Sequence, residues 1–195
     1  MSARHQLGVI HGRFQVLHKD HLEYLLAGKK RCEHLIVGIT NPDPELTRDD
    51  PADPDRSDPR ANPLTYFERY TLVRHVLTQA GIPEKSFSVV PLPVNRPRLY
   101  GHYVPLRACF FLTIYDDWGQ KKLETFRSLS LHTEVLWERT PETKGISGSS
   151  VRSKMLSGEP WRHLVPKACA ERMLAWDIPR RLRRHACDRG PDECD

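Results

Sequence analysis

Near the start of the chain the apolar positions change period. Leu7, Val9 and Ile10 form the short apolar run of a buried strand, and Leu22, Leu25 and Leu26 then recur at helical spacing, which predicts a strand over 6–12 and a helix over 18–31. The same reading predicts strands over 34–40, 86–92, 107–114 and 131–137. It also predicts helices over 64–80 and 119–128, and near 148–157 and 160–176. Repeated strand–helix units of this kind imply α/β architecture. The expected form is a Rossmann-like, doubly wound parallel sheet with C-terminal helices, whose ligands sit beyond the carboxyl ends of the strands near the reversal of strand order.

One connector breaks the rhythm. Residues 41–60 contain Pro42, Pro44, Pro51, Pro54 and Pro59 among many aspartates, which forbids regular structure. A loop of this length after a strand carboxyl end suits a lid, with Arg48, Arg56 or Arg60 meeting phosphates and the aspartates holding a cation. Its composition suits a solvated excursion equally well.

The first strand and helix are joined by Ile10-His11-Gly12-Arg13-Phe14-Gln15-Val16-Leu17-His18-Lys19-Asp20-His21. Gly12 lets the backbone approach a ligand, and a helix starting near His18 aims its free N–H groups and positive dipole end back at the same place. His18 and His21 share one helical face, so two imidazoles stand where an anion would sit. A second stretch, Lys144-Gly145-Ile146-Ser147-Gly148-Ser149-Ser150-Val151-Arg152, reads as another helix start. Ser147 or Ser149 would cap it, and Arg152 in its first turn would be a cation within reach of phosphates. Alone, that stretch is what ordinary helix capping looks like.

With 195 residues the chain is long enough for one compact domain, expected over 1–178, followed by a charged tail over 179–195 that its composition predicts to be solvated or partly disordered. No apolar run would span a bilayer and no signal-peptide core is present, so no membrane partner and a cytoplasmic location are expected. Five scattered cysteines, without a Cys-x-x-Cys pair, read as free thiols. The tail grouping His185, Cys187 and Cys194 fits no common zinc spacing. The net charge of +5 draws heavily on Arg180, Arg181, Arg183 and Arg184, but no aromatic stacking run accompanies them and nucleic acid is not a favoured partner. Neither a Walker loop nor a Gly-x-Gly-x-x-Gly fingerprint occurs, which argues against P-loop NTPases and ordinary dehydrogenases.

Taken together, the two motifs resemble those of the nucleotidyltransferase superfamily. The first is similar to its Gly-Arg-Phe-Gln-Pro-x-His-x-Gly-His signature and the second to its Ile-Ser-Gly-Thr-x-Ile-Arg signature. Asn62-Pro63-Leu64-Thr65-Tyr66-Phe67-Glu68-Arg69 resembles the Asn-Pro-Phe-Thr-x-x-Glu-Arg stretch of the archaeal-type nicotinamide-mononucleotide adenylyltransferases. The run from Gly158 to Ala168 is similar to their C-terminal helical segment. The resemblance implies the nucleotidyltransferase fold and transfer of AMP from ATP to the phosphate of nicotinamide or nicotinate mononucleotide, with release of pyrophosphate. By this resemblance His18, His21 and Arg152 would be catalytic. Gly12, Arg13, Phe14, Gln15, Ser147, Gly148 and Ser149 would bind nucleotide and phosphate. The partners would be small molecules, a nucleoside triphosphate and a phosphate-bearing acceptor. No protein ligand set for a metal is evident, so Mg2+ would arrive with the triphosphate. Because the family often forms symmetric oligomers, a homo-oligomer is expected.

Three departures qualify that reading. Val16 replaces a proline, Ser149 a threonine, and Asp20 a glycine. The last puts a carboxylate beside the imidazoles, which would repel an anion unless it caps the helix, faces away or helps hold a cation. The acceptor region departs most, with Thr113-Ile114-Tyr115-Asp116-Asp117-Trp118-Gly119 in place of a Gly-Asn pair. Tyr100 or Tyr103 falls where the family stacks an aromatic on the acceptor base, and Trp118 is a further candidate wall; these tyrosines would equally well plug a surface crevice. The same chemistry with another pair, such as CMP transfer to a phosphonate or a sugar phosphate, therefore stands as an alternative. So do a non-catalytic nucleotide-binding module and polyanion binding by the arginine tail.

Overall fold

The computed structural model describes residues 4–44, 58, 60–143 and 145–187. The centre of the 41–60 connector, and with it the lid expectation for Arg48 and Arg56, lies outside these residues. So does the end of the tail, including Cys194.

Five strands form one parallel sheet in the order β3-β2-β1-β4-β5: β1 (His5–Gly12), β2 (Cys32–Ile39), β3 (Phe87–Pro91), β4 (Cys109–Ile114) and β5 (Thr133–Glu138). The helices between them are α1 (Lys19–Arg31), α2 (Tyr66–Gln79), a single turn α3 (Tyr100–Tyr103) and α4 (Asp117–Ser128). After β5 come α5 (Gly148–Ser157), α6 (Lys167–Ala175) and α7 (Ile178–Cys187). Every predicted element is present within a few residues, except that the helix expected over 160–176 begins as a 3-10 turn at Arg162–Leu164 and becomes α-helical past Pro166. The doubly wound α/β architecture is as expected from the sequence.

Strand alternation sorts the core onto two faces. Ile10, Leu25, Val37, Leu72, Phe111 and Val151 belong to one buried cluster. Val9, Ile36, Tyr100, Phe110, Leu112 and Phe126 belong to the other. The tail corrects an expectation. It is helical through Cys187, because Ile178 and Leu182 lie one helical turn apart and both are fully buried in the first cluster. Arg181 is not a free surface cation either: its guanidinium grips both Glu68 carboxylate oxygens at 2.7 and 2.8 Å.

Order reverses between β1 and β4. The β1–β2 ladder runs on to Gly12↔Ile39, whereas β1 and β4 pair at Gly8↔Cys109 and Val9↔Phe110 and then part. Tyr24 of α1 fills that opening, its hydroxyl donating to the Phe111 carbonyl at 2.6 Å. The cleft so formed is where a doubly wound sheet binds its ligands.

Candidate active site

The β1–α1 loop is held in place by its own side chains. Phe14 takes a positive φ of 52° and buries its ring completely, edge-on to His21 with centroids 5.1 Å apart. Gln15 is also buried: its amide nitrogen donates to the Leu64 carbonyl at 2.7 Å while its oxygen accepts the Leu64 amide at 2.9 Å. The resemblance placed these two residues among the phosphate-binding groups. Their side chains belong to the scaffold, Phe14 beneath an imidazole and Gln15 tying the loop to the start of α2.

His18 is the N-cap of α1 and His21 lies one turn on, with the two rings stacked at 3.7 Å. His18 is 5% exposed and its Nδ1 has no hydrogen-bond partner among the described residues. Burial lowers its pKa to about 4, partly offset by Asp20. Burial also holds the half-buried His21 well below the ordinary histidine value, with His18 and Arg13 pushing the same way. Without an anion both rings are neutral. A polyphosphate would raise both pKa values and turn the pair into charged donors.

The second motif sits against the first. Ser147 caps α5, its hydroxyl accepting the Ser150 amide at 3.1 Å and contacting Ser149 Oγ at 2.9 Å. A Cβ on Gly148 would collide with the Gln15 carbonyl and the Val16 nitrogen, so only glycine lets α5 approach the loop so closely. Arg152 Nη1 donates to that same Gln15 carbonyl. Asp20 accepts the Ile146 amide at 2.8 Å, and a side chain at Gly145 would strike the Asp20 carboxylate. The carboxylate that seemed a threat to anion binding is therefore a strap between the two helix starts. Arg13, half-buried beside this junction, lowers the pKa of both His21 and Arg69.

Sequence reading missed the organising role of Arg69. It is 2% exposed, and its guanidinium donates to four carbonyls: Thr65 at 3.3 Å, Arg13 at 3.0 Å, Thr40 at 2.7 Å and Asn41 at 2.7 Å. It thus joins the first motif, the end of β2 and the start of α2. Burial lowers its pKa to about 10, still charged at neutral pH, which puts a positive centre beside the first motif. An arginine at the end of the Asn-Pro-Leu-Thr segment was the available signal.

The acceptor candidates Tyr100 and Tyr103 differ sharply in exposure. Tyr100 is 2% exposed, edge-on to Phe126 at 6.1 Å, and its hydroxyl donates to the Val94 carbonyl at 2.6 Å. It is a core residue with no face open to a ligand base. Tyr103 is exposed at the end of the same short helix. Trp118 falls in the first turn of α4, and its side chain is not among those described. On the other side of the cleft, Trp137 at the end of β5 stands edge-on to Tyr24 at 6.1 Å and donates to the Tyr115 hydroxyl at 2.8 Å, with Arg139 over its ring.

Among the described residues, His5, Cys109 and His132 bring their donor atoms within 4.8 Å of one another. They lie at the amino ends of the strands, away from the motif loops. His5 Nε2 is bonded to Glu134 at 2.9 Å, and Glu134 also pairs with Arg31.

Two capped helix starts meeting over a cleft at the reversal of strand order, with paired imidazoles and arginines at their junction, define a nucleotidyltransferase. The cytidylyltransferase-like family profile matches residues 9–154, and the chain belongs to that family. It is 50% identical over 176 residues to the phosphonoformate cytidylyltransferase of Streptomyces viridochromogenes, covering 90% of this chain and 95% of that one. It is 28% identical over 165 residues to the nicotinamide-nucleotide adenylyltransferase of Thermococcus onnurineus, covering 84% and 80%. In fold it is similar to a bifunctional NMN adenylyltransferase/ADP ribose pyrophosphatase from Francisella tularensis, with a TM-score of 0.61, 16% identity and 92% of this chain covered. It spans about half of that longer protein, 53%. No described helix is long and apolar enough to cross a membrane.

Proposed function

We propose that this chain transfers CMP from CTP to a small phosphonate that also carries a carboxylate, phosphonoformate or a close analogue, and releases pyrophosphate. The observation that carries the reading is the 50% identity to a phosphonoformate cytidylyltransferase along nearly the full length of both chains. Of the two tyrosines that fall where adenylyltransferases of the resembled type stack an aromatic on the acceptor base, Tyr100 is sealed in the core and only Tyr103 is exposed, which weakens the case for a pyridine mononucleotide. AMP transfer to a pyridine mononucleotide, the reading first suggested by the motifs, has weaker support at 28% identity. A purely regulatory module lost its main argument when Asp20 proved to be bonded to the Ile146 amide.

In this mechanism a phosphonate oxygen attacks the α-phosphorus of CTP. The bond from that phosphorus to the bridging oxygen of the β-phosphate breaks, and pyrophosphate departs with the electron pair. The nucleophile is already anionic, so no strong general base is needed, and positioning with charge neutralisation does the catalysis. His18 and His21, protonated in the field of the polyphosphate, donate to oxygens around the α-phosphorus. Arg13 and Arg152 offset charge on the triphosphate, while Ser147, Ser149 and the free amides at the start of α5 donate hydrogen bonds. Magnesium brought in by CTP would supply further neutralisation of phosphate charge, held by the nucleotide rather than by a dedicated set of protein ligands.

The test pairs each of CTP and ATP with phosphonoformate, nicotinamide mononucleotide and a sugar phosphate, and follows pyrophosphate release. Turnover confined to CTP with phosphonoformate is expected. Preferred turnover of ATP with the mononucleotide would overturn the proposal.

A further inference from the structure

His11 is an imidazole of the β1–α1 motif to which the mechanism gives no task. It sits at the carboxyl end of the central strand where β1 parts from β4, and is 6% exposed. Its main chain is part of the parallel β1–β2 ladder, in register with Gly38. Its side chain faces away from α1, in the line of Val9, and its ring lies 5.3 Å from that of Phe126 on α4.

Both ring nitrogens are buried and neither has a hydrogen-bond partner among the described residues. A neutral imidazole carries one donor and one acceptor, and leaving such a group unmade in the interior costs about 1–3 kcal/mol. A strand residue that only filled space here would be better as valine or leucine. Burial and the positive charge of Lys122 keep the ring neutral in the free protein. A neutral N–H under a lysine's field at the switch point suits one kind of ligand group, a compact anion brought in by the substrate.

Resting on the CMP-transfer reading, we infer that His11 is an acceptor-recognition residue. Its imidazole N–H donates to the carboxylate of the phosphono-carboxylate acceptor and turns the phosphonate toward the α-phosphorus of CTP. The acceptor then has two anionic ends with separate hosts, the phosphonate among the His18, His21 and Arg152 groups and the carboxylate at His11. The His11 ring is backed by Phe126, which in turn packs edge-on against the buried Tyr100. A phosphonate without the carboxylate makes no use of His11.

The experiment compares wild type, His11→Phe and His11→Gln with CTP and two acceptors, phosphonoformate and methylphosphonate. Loss of a hydrogen bond to a charged group predicts that His11→Phe raises KM for phosphonoformate about tenfold or more, with KM for CTP changed by less than about twofold. Methylphosphonate turnover is unaffected, and His11→Gln, which keeps a donor, recovers part of the loss. Equal losses with both acceptors, or an unchanged phosphonoformate KM, would overturn the assignment. Should His11→Phe fail to fold, proton and nitrogen NMR of the wild-type imidazoles gives the answer. Phosphonoformate added with a non-hydrolysable CTP analogue must shift the His11 ring signals while methylphosphonate does not, and unmoved signals overturn the assignment. A wild type active on CTP and phosphonoformate but insensitive to His11 removes this inference alone. A wild type inactive on CTP with every phosphonate removes the functional reading and the inference together.

Discussion

Across the cleft between β1 and β4, the side built from α1 and α5 and the side built from α3 and α4 hold their polar groups differently. On the first side nearly every fixture is a hydrogen bond between loops distant in sequence: Gln15 with Leu64, Asp20 with Ile146, Arg152 with Gln15, and Arg69 with four carbonyls. What that frame leaves open is the buried His18 Nδ1. On the second side Tyr100, Phe110 and Phe126 pack edge to face within the core, and the buried group left open beside them is His11. A triphosphate is the same ligand whatever its base, so a polar frame for it is shared by adenylyl- and cytidylyltransferases. Base and acceptor are what change between them, and under the proposed reading the acceptor would meet the side governed by packing.

The largest effects should come from the open groups of the polar side. His18→Ala or His21→Ala is expected to cut turnover by about 10²–10³-fold, the usual cost of deleting a group that stabilises transition-state charge, with the circular dichroism spectrum unchanged. Near-normal turnover in both variants would sink the assignment of these residues.

Acid should expose the same groups without mutation. The folded-state pKa of His18 is lowered from 6.5 to about 4, so above pH 6.5 its neutral form is common to folded and unfolded states. As pH falls from 6.5 toward 4 the unfolded chain takes up a proton that the folded one refuses. Unfolding free energy then drops by at most roughly 3 kcal/mol from this ring. Saturating CTP should flatten that slope by restoring the imidazolium, and denaturant titrations at several pH values would read it. An identical slope with and without CTP would contradict anion binding at His18.

Arg69→Ala strips hydrogen bonds from buried carbonyls and should cost about 2–3 kcal/mol in urea midpoint experiments, as well as activity. A surface-like change below about 0.5 kcal/mol would show that water replaces it. Asp20→Ala should be milder, an approximately tenfold loss of kcat from a loosened α5, with little change in the KM for the acceptor. A gain in activity would mean that the carboxylate does oppose the phosphates.

The polar side was largely legible in the sequence, because a glycine turn, imidazoles at helical spacing and a serine cap each have a local physical reason. Its frame was not. Asp20 is visible as a departure from glycine, but its partner Ile146 lies far along the chain, and Gln15 reads as a ligand group until Leu64 is found beside it. The charge run after Pro179 hides the Ile178 and Leu182 stripe that makes α7 a packed helix. On the packed side, Tyr100 could be read as a stacking wall or as a plug, and only its burial and the Val94 bond decide for the plug.

The most direct test places CTP, ATP, phosphonoformate and nicotinamide mononucleotide together at equal concentration with enzyme and magnesium, and identifies products by mass. The account predicts the cytidylyl-phosphonoformate adduct with matching pyrophosphate; a dinucleotide of adenosine and nicotinamide as the main product would contradict it.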